Sequence, residues 1–185
     1  FDGENVTGLR PYKLNRRGLA RTFQLARPFS QLTVLENAMV GSYRLSRHKR
    51  EAAERAREVL ALLGIEADAD RPAGELTMPG LKRLEVARAL ATRPKLLLLD
   101  EVMSGLTPTE SKAMLPVIQR IRDSGVTLLM IEHVMHAIMT LSDRIVVLHH
   151  GRKLAEGTPA EIAADAAVIE AYLGAAPIGK DGSHA

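Results

Sequence analysis

Lys95-Leu96-Leu97-Leu98-Leu99-Asp100-Glu101 is the stretch from which the fold can be read. Four consecutive leucines, too short for a helix and apolar on both faces, describe a strand in the middle of a parallel sheet. The two acids that close the run put ionisable chemistry at the strand's carboxyl end, where open α/β sheets bind their ligands. Taken by themselves, Asp100 and Glu101 fit two accounts. One is a metal-holding carboxylate beside a general base; the other is the exit of a buried strand into solvent.

Outward from this run, helical and strand-like patterns alternate, which implies an α/β domain with a parallel sheet flanked by helices. Upstream, a helix is expected over about Lys82 to Thr92, ending before Pro94 as a proline requires. The clearest helix runs from Lys49 to Leu63, with Ala52, Ala56, Val59, Leu60 and Leu63 on one face and Gly64 as its terminator. Val34 to Val40 is again helical, Gln24 to Ser30 a loop, and Ala20 to Phe23 a strand. Pro11 starts a short helix that stops at Gly18, and Phe1 to Val6 is expected to be the end of an edge strand with a turn at Asp2-Gly3.

Downstream, Thr107-Pro108-Thr109-Glu110 combines an N-cap threonine, a first-turn proline and the glutamate of a capping box. Pro116 is expected to kink or divide the helix that follows. A strand over Val126 to Ile131 comes after Gly125, then a helix over Met135 to Leu141 and a strand over Arg144 to Leu148. Gly151 turns the chain into a short strand near Lys153 to Ala155, and Thr158-Pro159-Ala160-Glu161 repeats the helix start. After Gly174 the tail is small and polar and is expected to fray.

Composition narrows the function. With 185 residues the chain can bury a sizeable core, yet only 3% are aromatic and none is tryptophan, so that core is aliphatic. There is no cysteine, which excludes a disulfide framework. The basic run Arg47, His48, Lys49 and Arg50 is followed at helical spacing by Glu51, Glu54 and Glu58. That is the pattern of a solvated mixed-charge face, and no aromatics are interleaved to stack on bases, so nucleic acid is not an expected partner. No apolar run reaches the roughly 18 residues that would cross a bilayer, so any membrane connection must come through another protein.

Leu76-Thr77-Met78-Pro79-Gly80-Leu81-Lys82-Arg83-Leu84-Glu85-Val86-Ala87-Arg88-Ala89-Leu90 lies just before the leucine strand. Together the two resemble the signature motif, its helix and the Walker B strand of the ATP-binding cassette family. Ser104-Gly105-Leu106-Thr107-Pro108 resembles that family's D-loop, His133 its switch histidine, and Gln24 its Q-loop glutamine. All five follow the family's order and spacing and span nearly the whole chain. Ala20 to Gln24, Asp100 to Glu110, Ile131-Glu132-His133, Ser142 to Leu148 and Gly157 to Ile162 resemble the branched-chain amino acid transporters, and within them the G-type cassette. Relatives that handle urea or short amides share these phrases.

The resemblance implies a P-loop NTPase-like core and an importer subunit that couples ATP hydrolysis to transport. One domain over 1–185 is expected, with a helical subdomain at 30–93, the Walker B, D-loop and switch part of the core at 94–165, and a C-terminal helix and tail at 166–185. By similarity Asp100 would hold Mg²⁺, partly through water, and Glu101 would be the catalytic base. His133 would contact the γ-phosphate of ATP, and Gln24 would sense the metal and attacking water. Thr77 and Gly80 would act across an interface, on nucleotide held by a second cassette. The family expects Ser, glycines and Gln where this chain has Thr77, Met78, Pro79 and Gly80. Pro79 has no backbone N–H, so one phosphate donor is missing. The implied partners are a second cassette, transmembrane permease subunits and, indirectly, a substrate-binding protein, at the cytoplasmic face of the membrane.

Such an ATPase needs Gly-x-x-x-x-Gly-Lys-Ser/Thr between a strand and a helix. The nearest match is Gly174-Ala175-Ala176-Pro177-Ile178-Gly179-Lys180, followed by Asp181. It follows a helix rather than a strand, and Asp181 would repel phosphate, so it reads as a chance match. The expectation is a cassette without its strand–loop–helix unit of roughly 30 residues, weakly stable and inactive by itself. Two other readings stand beside it: a non-catalytic partner that lends its signature and Q-loop surfaces, and a cassette protein acting on DNA or ribosomes. The second is disfavoured by the transporter-like phrases around Gln24 and His133.

Overall fold

The computed structural model describes residues 1–23, 27–46 and 48–173. Gln24, the loop around it and the tail match at Gly174 to Asp181 lie partly or wholly outside these residues. The chain groups into two compact units, Phe1–Val134 and Met135–Ala185.

The first unit is built on a three-stranded parallel sheet of β1 (Leu19–Arg21), β2 (Leu96–Asp100) and β3 (Thr127–Ile131), in that spatial order. The leucine run is the central strand, as its continuous apolar character requires. Leu97 and Leu99 are 0% and 1% exposed. Register sets Ala20 beside Leu97 and Asp100 beside Ile131, so the ends of β2 and β3 are level. Leu129 and Ile131 of β3 are 57% and 62% exposed, a bare apolar face on that strand.

Helices follow the capping chemistry closely. The first, α1, covers Pro11–Arg17, and Gly18 ends it at φ 98°, a left-handed conformation that suits glycine. Thr33 caps α2 (Val34–Ser42) with a complete capping box to Glu36. The third, α3, occupies Lys49–Leu63 and closes on Gly64, burying Ala52, Ala56, Leu60 and Leu63. These two helices pack on each other and on α4 (Met78–Leu90). That helix in turn rests on β1 and β2. The long α5 (Pro108–Asp123) starts from the Thr107–Glu110 capping box and buries Met114, Leu115, Val117, Ile118 and Ile121.

Three local expectations are corrected. Residues 1–6 form turns rather than a strand, with Asp2 and Gly3 both at positive φ and the Glu4 N–H bonded to the Phe1 carbonyl. The signature helix begins at Met78, four residues before Lys82, because a proline at its second position occupies a site where no intrahelical N–H bond is needed. Pro116 does not divide α5. Pro116 and Lys112, whose carbonyl the missing N–H would have bonded, are both exposed, so water can solvate the freed group.

The second unit holds α6 (Met135–Leu141) and an antiparallel hairpin of β4 (Ile145–His149) and β5 (Arg152–Gly157). It continues through α7 (Pro159–Ala164), capped by Thr158 and Glu161, into α8 (Ala166–Leu173). Ile145, Val147, Ile162 and Val168 form its core, flanked by Ile138, Met139, Leu154 and Ala155.

Candidate active site at the ends of β2 and β3

Three of the anticipated residues lie at or just past the ends of these two strands. Asp100 is the last residue of β2, and Glu101 follows it in a left-handed conformation, φ 47°. Its N–H donates to the Ile131 carbonyl of the neighbouring strand at 2.9 Å. Its own carbonyl accepts from the Ser104 N–H at 3.0 Å, closing a turn, and from the buried Lys82 Nζ at 3.4 Å. His133, two residues past β3, is exposed.

Asp100 is held from the β1 side. Its N–H donates to Thr22 Oγ1 at 3.1 Å, and that fully buried hydroxyl donates to the Leu98 carbonyl at 3.4 Å. Its carboxylate receives Arg21 Nη2 at 2.9 Å, from an arginine side chain 55% exposed. An ion pair so open to solvent is a weak, exchangeable tie.

Two glutamates, Glu85 buried and Glu132 half-buried, fasten loops to this site. Glu85, on the inner face of α4, accepts the Phe23 N–H at 2.5 Å, immediately before Gln24. Burial pushes its carboxyl up, opposed by the Phe23 N–H and by Lys82 and Arg88, while Asp100 adds to the rise. Glu132 accepts the Met103 N–H at 3.0 Å through Oε1. Its carboxyl is also raised, first by burial, against the Met103 N–H and the His133 charge. Neither glutamate stood out in the sequence. The available signal was positional: Glu132 adjoins His133, and Glu85 falls on the apolar side of a helix.

Thr77 and Gly80 sit elsewhere on the unit, at the start of α4. Thr77 is the N-cap residue and is exposed, but its hydroxyl makes no capping bond. A side chain at Gly80 would press on Leu76, with the nearest carbon at 3.3 Å. Pro79 occupies the second helical position, so the helix start is undisturbed while presenting one N–H fewer.

Among the described residues no group of three or more His, Cys, Asp or Glu converges to hold a metal ion. Asp100 alone, partly exposed at a strand end, fits a hard cation that keeps most of its coordination for water and phosphate oxygens, as Mg²⁺ does.

Comparison with known proteins decides the family. The model described as "ABC transporter" matches residues 1–104, more than half the chain. The chain belongs to the ABC transporter family. A second model, "Branched-chain amino acid ATP-binding cassette transporter", matches residues 152–177 of this ABC protein. The high-affinity branched-chain amino acid transport ATP-binding protein BraF of Pseudomonas aeruginosa is 40% identical over 192 aligned positions, covering 95% of the chain and 75% of BraF. LivG of Escherichia coli K12, described in the same terms, is 37% identical over 94% of the chain and 74% of its own length. Among solved structures, the ADP conformation of the ATP-binding cassette MJ1267 superposes with a TM-score of 0.80 at 29% identity, covering 94% and 75% of the two chains. As an ABC cassette the chain is part of an ATPase, with the α/β core that its leucine strand implied. No helix among the described residues is long and apolar enough to cross a membrane.

Proposed function

We propose that these residues form the hydrolytic half-site of an importer subunit for branched-chain amino acids or related small amides. The observation that carries the reading is Glu101, fixed in a left-handed turn beside Asp100 and level with the strand end that bears His133. Asp100 would hold Mg²⁺ through water, and Glu101 would take the proton of the attacking water. His133 would donate to the γ-phosphate, and Gln24 would sense the metal and water. Bound Mg·ATP supplies the phosphoryl group and the charge that polarises it. Thr77, its hydroxyl unused by the helix, and Gly80 would serve nucleotide held by a second cassette. With Pro79 supplying no N–H, that second site is the weaker of the pair.

On this reading a helical subdomain spans 30–93, with the remaining core over 94–165. The subunit works at the cytoplasmic face of the membrane with permease subunits and, through them, a substrate-binding protein. The 185 residues contain no Gly-x-x-x-x-Gly-Lys-Ser/Thr loop between a strand and a helix. A polypeptide of these residues alone should therefore show no steady-state Mg·ATP turnover.

The test is a pair of substitutions in the assembled transporter carrying the full-length cassette. Glu101→Gln should lower ATP turnover by about a hundred-fold or more, the scale of a lost general base. On this reading the equivalent change in the partner cassette should cost a different factor, because Pro79 weakens only the site that this chain's signature motif completes. Turnover that survives Glu101→Gln would defeat the assignment of the base, and equal losses would defeat the asymmetry.

A further inference from the structure

We infer that Glu132 is a positioning residue that holds Glu101 in its catalytic turn by accepting the Met103 N–H. The inference deepens the reading of Glu101 as the base and rests on it. A non-glycine residue in the left-handed region is strained and persists only where its surroundings over-determine it. At Glu101 those surroundings can be named.

The turn 101–104 is pinned from one short piece of chain. The Ile131 carbonyl takes the Glu101 N–H at 2.9 Å, and the next side chain, Glu132, takes the Met103 N–H at 3.0 Å. The dipeptide Ile131-Glu132 therefore grips the turn at two points two residues apart. Val102 and Met103, each 2% exposed, anchor the same turn from below. Without the Glu132 bond, the buried Met103 N–H would lose its partner, and the turn could relax toward ordinary backbone. His133 follows Glu132 directly, so the position of the switch histidine and that of the base are set by adjacent residues.

The other carboxylate oxygen sharpens the argument. Glu132 Oε2 is buried and has no hydrogen-bond partner in the structure. An acid left half-satisfied in a buried place is costly, and is kept where its other half does something. The hold on the turn needs only the reach of a two-carbon side chain ending in an acceptor, while the charge of Glu132 faces the adjacent His133.

That distinction gives the experiment. In the assembled transporter with the full-length cassette, Glu132→Gln keeps both reach and acceptor, and should turn over ATP within about three-fold of the parent. Glu132→Asp keeps the charge but withdraws the acceptor by one methylene. It should lower kcat about ten-fold to a hundred-fold while KM for ATP stays within about two-fold, the signature of a misplaced catalytic group. Glu132→Ala should behave like the aspartate. The reverse order, with aspartate active and glutamine inactive, would show that charge rather than reach matters and would overturn the inference. So would a glutamine variant that fails to assemble, since a neutral isostere is sufficient on this account. Glu101→Gln in the same preparation separates the two levels. If it abolishes turnover but Glu132→Asp and Glu132→Ala do not slow it, the positioning role alone fails. If it leaves turnover intact, the assignment of the base fails and the positioning role with it.

Discussion

Replacing Gly41 by alanine should destabilise the protein, although helix propensity alone forecasts the opposite. Gly41 lies in α2 where that helix crosses α4. In an open helix interior, Gly→Ala gains about 1 kcal/mol, because alanine loses less backbone freedom on folding. Here the added Cβ would overlap the Arg88 carbonyl oxygen and lie 3.1 Å from the Ala91 Cβ. Both neighbours belong to the end of α4 and neither is a flexible side-chain tip, so the helices must part by about 1 Å. Overpacking of this kind costs about 1–3 kcal/mol and occasionally more, and the overlap with backbone puts this site in the upper part of that range. Subtracting the propensity gain leaves a net loss of about 1–2 kcal/mol. For a chain of this size that lowers Tm by roughly 2–8 °C. Thermal unfolding followed by circular dichroism reads the shift directly, and Gly41→Val should be worse because its extra methyls enter the same gap. The same displacement moves Lys82 and Glu85, which hold Glu101 and Phe23, so ATP turnover of the assembled transporter should fall with it. A neutral or stabilising Gly41→Ala would refute the close approach of α2 and α4.

Three further outcomes follow from burial and capping. Leu97→Ala should cost about 2–5 kcal/mol in urea unfolding, whereas Leu129→Ala, at a side chain already 57% exposed, should cost well under half as much. Equal losses would mean that the β3 face is covered. Thr107→Ala should remove about 1 kcal/mol by breaking the α5 cap. The Thr107 N–H, then its hydroxyl, lower the Glu110 pKa, so this carboxylate stabilises the folded state above its ordinary pKa. That contribution fades as pH falls through the lowered folded value. The wild type should thus lose stability more steeply than Glu110→Gln between about pH 5 and pH 3, and parallel curves would count against the cap.

What sequence could show was set by how local the physics is. Lys49–Leu63 could be bounded to the residue because both its stripe and its glycine terminator are written within the helix. The leucine run betrayed a central strand because burial on two faces leaves no room for polar residues. Pro116 misled because a proline's effect depends on whether the group its missing N–H would have bonded can be solvated instead, which sequence position alone does not show. Asp100, Glu101 and His133 were legible as a set through motif order, and the structure brings their backbones to one edge. The fastenings of that set were not. Glu132 and Glu85 bind N–H groups 29 and 62 residues away, and no short-range pattern announces such a pairing.

The left-handed backbone at Glu101 has an evolutionary consequence. Asparagine and glycine occupy that conformation at lower cost than glutamate, by about 1 kcal/mol. Selection for folding alone would thus erode this position, and on the proposed role of Glu101 as the base it is selection for turnover that keeps glutamate there. Gene copies released from transport duty should drift toward Asn or Gly at 101 sooner than at Asp100, which sits in ordinary strand geometry.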